Sequence, residues 1–184
     1  MTYRFSCTLC GDCCWGDQVV RLNKEDLILM AQFKGFDRTS ELFTQGLVEA
    51  IREESGWRPR IRFRTKPARF CPFLQNNITE EGTLQGLCSL HPLFKPLVCH
   101  LSPLCRSLDL QENTQEWKVI APVEGCPGMG KGAARKVNQD LEKFQTRLAN
   151  EKEFFQFLQN NSPQYTLISE AILGLFDYAT ERKS

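Results

Sequence analysis

Four cysteines, Cys7, Cys10, Cys13 and Cys14, stand inside the stretch FSCTLCGDCCWGD, and no other feature of this 184-residue chain constrains its fold as much. Thiols so crowded are a liability unless something binds them. Positions 7, 10 and 13 repeat every three residues. At that spacing a loop or tight turn can aim successive sulfurs at one centre while backbone N–H groups point at them. Cys14 breaks the pattern. Adjacent residues project in different directions in helix and in strand, so Cys13 and Cys14 are not expected to serve one mononuclear ion together, and a second centre or a free reactive thiol follows.

The redox compartment decides between metal and disulfide. Nine cysteines in a chain of this length fall below the density of a small secreted disulfide scaffold. The opening MTYRFSCTLC has no apolar core of signal-peptide length, and the longest apolar runs, LILMA and ILGLF, are far too short to span a bilayer. These features point to a cytoplasmic protein, where ordinary thiols stay reduced. A secreted protein with four disulfides and one spare thiol is the competing reading; the missing signal and the tight spacing weigh against it. A composition of 41% apolar and 24% charged residues suits a soluble protein with one core. The formal net charge of +1 gives no global drive toward nucleic acid or an anionic membrane.

Along the chain, QVVRL reads as a short strand and NKEDLILMAQFKG as a helix capped by Asn23 and stopped by Gly35. In TSELFTQGLVEAIREES, Phe43, Leu47, Ala50 and Ile51 recur at helical spacing, which predicts a second helix. The segment RPRIRFRTKPARFCPFL alternates basic and other residues with the period of a strand. QNNITEEGTLQ suits the loop of a hairpin that would bring Cys71 and Cys88 together, and a second hairpin is expected around the polar ENT. HPLFKPLVCHLSPL, with three prolines, can be helical only in short pieces. Beyond EGCPGMGKG the chain is free of cysteine and strongly helical. Val137, Leu141, Phe144 and Leu148 make one apolar stripe, and Ile168, Ala171, Ile172, Leu175 and Phe176 make another, in a last helix begun by Ser162 and Pro163. The expected architecture is α+β: a small cysteine-rich, metal-centred core with short β-hairpins and helices packed outside. Residues 1–130 would form the metal-binding domain, with 131–184 a helical hairpin on the same core.

The remaining cysteines, Cys71, Cys88, Cys99, Cys105 and Cys126, are solitary, and Cys71 and Cys126 precede proline. A distal Cys-Pro is familiar in ferredoxin-type clusters, whereas zinc ribbons more often supply a second C-x-x-C knuckle, so the pattern leans toward iron–sulfur. The basic run near Cys71 has three readings: a solvated edge strand, guanidinium groups that stabilise an anionic centre, or a contact for an anionic partner. His91 and His100 flank cysteines and read as hydrogen-bonding or packing residues ahead of ligands. Cys105 reads as a small buried apolar residue in a strand.

The order of motifs resembles the CxxCxxCC zinc- or iron-chelating family, the YkgJ-like cysteine-cluster proteins. CTLCGDCC matches its signature, CPFL its Cys-x-Phe-Leu, CSLHPLFKPLVCHLSP its C-x-I-Y, Arg-Pro and C-R-x-F-P run, and CPGMGKG its closing Cys-Pro-Gly, over roughly residues 5 to 130. The chain departs from the family at His100, which stands for Arg, at Lys95, which stands for the Arg of Arg-Pro, and by one extra residue after Cys88. The resemblance implies the ligand set Cys7, Cys10, Cys13, Cys14, Cys71, Cys88, Cys99 and Cys126, and leaves Cys105 outside it.

Eight ligands at four per centre make two centres; one four-ligand cluster with spare thiols is the competing count. The function expected is a metal-binding protein holding an iron–sulfur cluster of the 4Fe–4S kind, or zinc. The alternatives are an enzyme using that centre in redox or group-transfer chemistry, or a metal carrier. Metal is the one partner expected. No membrane is expected to bind, nucleic acid is disfavoured, and the sequence points to no particular protein partner. No Gly-rich cofactor loop, catalytic His–acid pair or phosphate loop is visible.

Overall fold

The computed structural model describes residues 1–54, 56–66, 68–162, 169 and 174–180. The architecture is α+β, built from short antiparallel strand pairs with helices between and around them. The first element is strand β1 (Thr2–Phe5), and a 3-10 turn at Asp12–Cys14 follows it. Residues 20–22 then run extended toward helix α1 (Lys24–Lys34). Local chemistry sets both ends of α1. The Asn23 side chain accepts the Asp26 N–H, the Asp26 carboxylate accepts the Asn23 N–H in return, and Gly35 turns left-handed at φ 72°.

The predicted second helix is helix only in its first part and strand in its second. Helix α2 covers only Ser40–Thr44, and strand β2 (Val48–Glu53) pairs antiparallel with β3 (Gly56–Ile61). Gly46, at φ 66°, ends the helical path. From Val48 the side chains alternate inward and outward, so a period of two governs positions where the helical count of Phe43, Leu47, Ala50 and Ile51 also fitted. The extended segment before α1 joins this ribbon: the Leu22 N–H donates to the Pro59 carbonyl, and the Ile61 N–H to the Val20 carbonyl. The basic run is therefore a strand only up to Ile61. Its Arg58 is buried with its guanidinium over the Phe155 ring, while Arg62 and Arg64 are exposed.

The two expected hairpins are present. Strand β4 (Leu74–Ile78) pairs with β5 (Leu84–Cys88), Leu74 opposite Cys88. After the one-turn helix α3 (Leu97–Leu101), β6 (Leu104–Asp109) pairs with β7 (Thr114–Val119) around the polar loop. Strand β8 (Met129–Lys136) closes back on β1, and helices α4 (Val137–Glu142) and α5 (Gln145–Asn161) follow. The segment expected to be helical from Ala134 is thus strand until Lys136.

Two apolar clusters hold these parts together. The larger gathers Leu22, Leu27 and Met30 with Trp57 and Ile61, and takes Phe154, Leu158, Leu175 and Phe176 from the C-terminal region. Cys71 belongs to it, with Cys14 and Cys88 packed on its margin. The smaller joins Tyr3, Leu97, Leu101, Leu104 and Val137, and the rest of the first predicted stripe, Leu141, Phe144 and Leu148, packs on it. Of the second stripe, Leu175 and Phe176 are fully buried; Ile168, Ala171 and Ile172 lie outside the described residues.

Candidate metal centre

Backbone pairing carries the N-terminal cysteine loop to the distal cysteines. The Gly86 N–H of β5 donates to the Leu9 carbonyl at 2.6 Å, the Cys71 N–H to the Cys14 carbonyl at 2.8 Å, and the Gly16 N–H to the Arg69 carbonyl at 2.9 Å. The loop lies so close to β5 that a Cβ on Gly86 would collide with the Cα of Gly11. Gly11 itself sits at φ 81°, which a side chain would oppose. Two glycines on facing segments therefore make the docking possible.

This arrangement brings five thiols within electrostatic reach of one another. Cys14 feels Cys13, Cys71 and Cys99; Cys71 feels Cys88 and Cys13; Cys99 feels Cys71 and Cys88. Cys13 and Cys14 end the 3-10 turn, and interaction between the neighbouring thiols shifts them in opposite directions. Cys14 draws the Cys13 thiol down to about 6, helped by Lys95 and against the cost of burial. Cys13, with burial, raises Cys14 in turn. Burial pushes Cys71 up to about 12, and raises Cys99 against the pull of Lys95.

The donor set fits a metal bound through thiolates. Protonated, these sulfurs pack as small apolar groups, as Cys71 does; as thiolates they need a cation to offset one another. The backbone around Cys71 is tied down on both sides, its N–H on the Cys14 carbonyl at 2.8 Å and its carbonyl on the Leu74 N–H at 3.1 Å. Among the described residues, no three His, Cys, Asp or Glu side chains close around a single point, so the thiols are gathered neighbours and not a finished polyhedron.

The other predicted ligands stand to one side. Cys7 follows β1, where the Ser6 N–H donates to the Gly128 carbonyl at 3.1 Å, which sets Cys7 beside the turn that carries Cys126. Cys10 lies between Leu9, at φ 58°, and Gly11. Cys7 is exposed, Cys10 and Cys126 half-buried. Cys105 lies on β6 as expected but faces solvent opposite Lys118, so it is not the buried residue the sequence suggested. An edge position on a two-stranded ribbon has no second layer to cover it.

Two residues assigned no electrostatic role from sequence, Lys95, noted there only as a departure from the family, and Asp26, shape the site. Lys95 supplies the positive charge that reaches Cys13 and Cys99, a role the sequence offered to the arginine run. Its signal was its place between Cys88 and Cys99. Asp26, fully buried, accepts the Leu97 N–H at 2.9 Å two residues before Cys99, and Arg147 at 2.7 Å. Burial pushes its carboxyl up to about 7 against the pull of the Asn23 and Leu97 N–H groups and of Arg147. His100 packs on Phe144 with ring centroids 5.5 Å apart, and burial, with Lys95 and Arg147, lowers it to about 4. His91 is exposed.

A family model described as "CxxCxxCC: Putative zinc- or iron-chelating domain" matches residues 6–127. The chain belongs to this family. The matched span runs from the N-terminal loop to one residue past Cys126, and so takes in every gathered thiol. Neither the curated proteins nor the solved structures contain a match to the chain. The CxxCxxCC family is one of zinc or iron chelation, and metal binding is thus the function its name supports. No helix among the described residues is long and apolar enough to cross a membrane.

Proposed function

We propose that this chain is a cytoplasmic metal-binding protein holding two neighbouring cysteine-ligated centres, of which iron–sulfur clusters of the 4Fe–4S kind are the favoured form and zinc the other. Residues 1–130 supply the ligands, and 131–184 pack on the same core. Cys14, Cys71, Cys88 and Cys99 make one four-thiolate set; Cys7, Cys10 and Cys13, at their spacing of three, make the other with Cys126. The observation that supports this reading is the Cys71 N–H bonded to the Cys14 carbonyl at 2.8 Å, which joins the N-terminal loop to the distal cysteines inside the span matched by the family.

Elemental analysis and an absorption spectrum of protein purified without air test the reading. Iron with inorganic sulfide and broad visible absorption marks clusters; colourless protein with stoichiometric zinc marks the other form. Cys99→Ser and Cys126→Ser should each remove about half of the metal, on four ligands per centre. Loss of all metal in either variant would replace two centres with one. A metal carrier is the second reading, favoured by the exposure of Cys7 and Cys13. It predicts rapid transfer of the metal to a competing chelator under native conditions.

A further inference from the structure

Past Ile61 the chain leaves β3, makes one more contact from the Arg62 N–H to the Leu47 carbonyl, and folds back where Arg64 and Phe70 exchange backbone hydrogen bonds of 2.8 and 3.1 Å. The return sets Arg69 on the wall of one cavity with Arg60 and Arg62. This cavity has a volume of about 270 Å³, and its walls also include Gln18, Thr65 and Glu49, over Ile61 and Phe63. The thiol sites make no use of it.

We propose that this cavity binds a small organic phosphate. Three guanidinium groups border it, and two carboxylates offset them. Arg60 engages Glu49 through Nε at 2.7 Å, and its two terminal amino groups have no partner among the described residues. Arg69 pairs through Nη1 with Asp17, a carboxylate whose side chain is 87% exposed and therefore weakly held. Arg62 has no carboxylate partner among the described residues, and it carries the one uncompensated charge. Planar guanidinium forks match phosphate oxygens two at a time, and a phosphate monoester has three oxygens to offer three forks. A dicarboxylate would use fewer of them.

The size of the cavity limits the rest of the ligand. It falls just below the range that encloses a drug-sized molecule, so it admits a phosphate and a few carbon atoms resting on Ile61 and Phe63. A nucleic-acid strand is a poorer match: it needs an open groove with exposed aromatic rings for stacking, and Phe63 is buried.

Calorimetric titration of the full, metal-loaded protein with glycerol phosphate, inorganic phosphate, malonate and a single-stranded oligonucleotide tests the proposal. The expected result is saturable binding of glycerol phosphate that is tighter than that of inorganic phosphate and clearly tighter than that of malonate. Arg62→Gln should weaken it about tenfold or more, and Arg62→Lys should retain part of the affinity. Arg62 is exposed, so both variants should fold, and unchanged metal content checks this independently of the thiol sites. Absence of saturable phosphate binding at millimolar concentration would overturn the proposal. So would affinity that survives Arg62→Gln and Arg69→Gln together, or tighter binding of the oligonucleotide. Equal affinity for inorganic and glycerol phosphate would overturn the organic part and leave phosphate itself as the ligand.

Discussion

The backbone N–H of Cys71 donates to the carbonyl of Cys14 at 2.8 Å, so the N-terminal loop and the distal cysteines are joined through the main chain. The joint stands on the margin of an apolar cluster to which Cys71 belongs and in which Leu22, Leu27 and Met30 are fully buried. Burial of that kind does not depend on a metal. Removing metal with a chelator should therefore leave the helical circular-dichroism signal largely intact, while the amides of Gly16, Cys71 and Gly86 exchange with solvent faster. Complete loss of the helical signal would mean that the metal holds the whole fold and not the loop alone.

Gly86 offers a way to disturb the site without touching a ligand. A methyl group there would meet the Gly11 Cα, and only backbone movement can relieve that clash. Gly86→Ala should push the cysteine loop off β5 and lower metal stoichiometry, whereas Asn76→Ala on the exposed face of β4 should not. The comparison is made by metal analysis after identical purification. Equal metal content in the two variants would show that the close approach is incidental.

Asp26 connects three elements: it caps α1, accepts the Leu97 N–H at the start of α3, and receives Arg147 from α5. Asp26→Ala leaves that N–H without its acceptor and Arg147, among the described residues, with Glu25 at 3.2 Å as its remaining carboxylate. Loss of one partner from a buried charged pair costs about 3 kcal/mol or more. Asp26→Asn keeps one acceptor oxygen, which can serve the Leu97 N–H, while it gives up the charge and the bond from the Asn23 N–H, so its cost should be smaller than that of Asp26→Ala by about 1 kcal/mol. Urea unfolding of the two variants measures this difference, and similar values for both would assign the role to charge alone.

Features encoded within a few residues could be read in the sequence. Helix α1 carries its own stop and start in Asn23, Asp26 and Gly35, and both hairpins carry polar loops between strand-forming runs. Features that depend on distant partners could not. Residues 48–53 satisfy a helical period and a strand period alike, and only β3 decides between them. Strand β8 forms because β1, more than a hundred residues away, is there to pair with it. The cysteine motifs named the candidate ligands, yet the backbone bond from Cys71 to Cys14 that docks the loop depends on partners far apart in sequence. For the neighbouring cation the dense arginine run drew the charge role, whereas Lys95, close to Cys99 in the chain, is the one that reaches Cys13 and Cys99.

Asp140 gives the fold a pH dependence with a definite sign. Its side chain is 8% exposed and accepts the Tyr3 hydroxyl at 2.8 Å, Arg135 at 2.9 Å and Lys143 at 2.9 Å, so it ties β1, β8 and α4 together. Burial alone would raise its pKa; the bonds from Arg135, Lys143 and Tyr3 outweigh burial and bring it down to about 2. A carboxyl with a folded value below its unfolded one adds stability that is complete above about pH 4 and disappears as the pH falls toward 2. The full shift would correspond to about 2 kcal/mol, but Arg135 and Lys143 are 41% and 65% exposed, and solvent screening reduces the expected contribution to about 1 kcal/mol. Asp140→Asn should thus be less stable than the parent protein by that amount at pH 6, and the gap should close between pH 4 and pH 2. Measuring both proteins at each pH cancels the titration of other carboxylates and the acid release of metal. A gap that persists at pH 2 would show that Asp140 acts through its shape and hydrogen bonds and not through its charge.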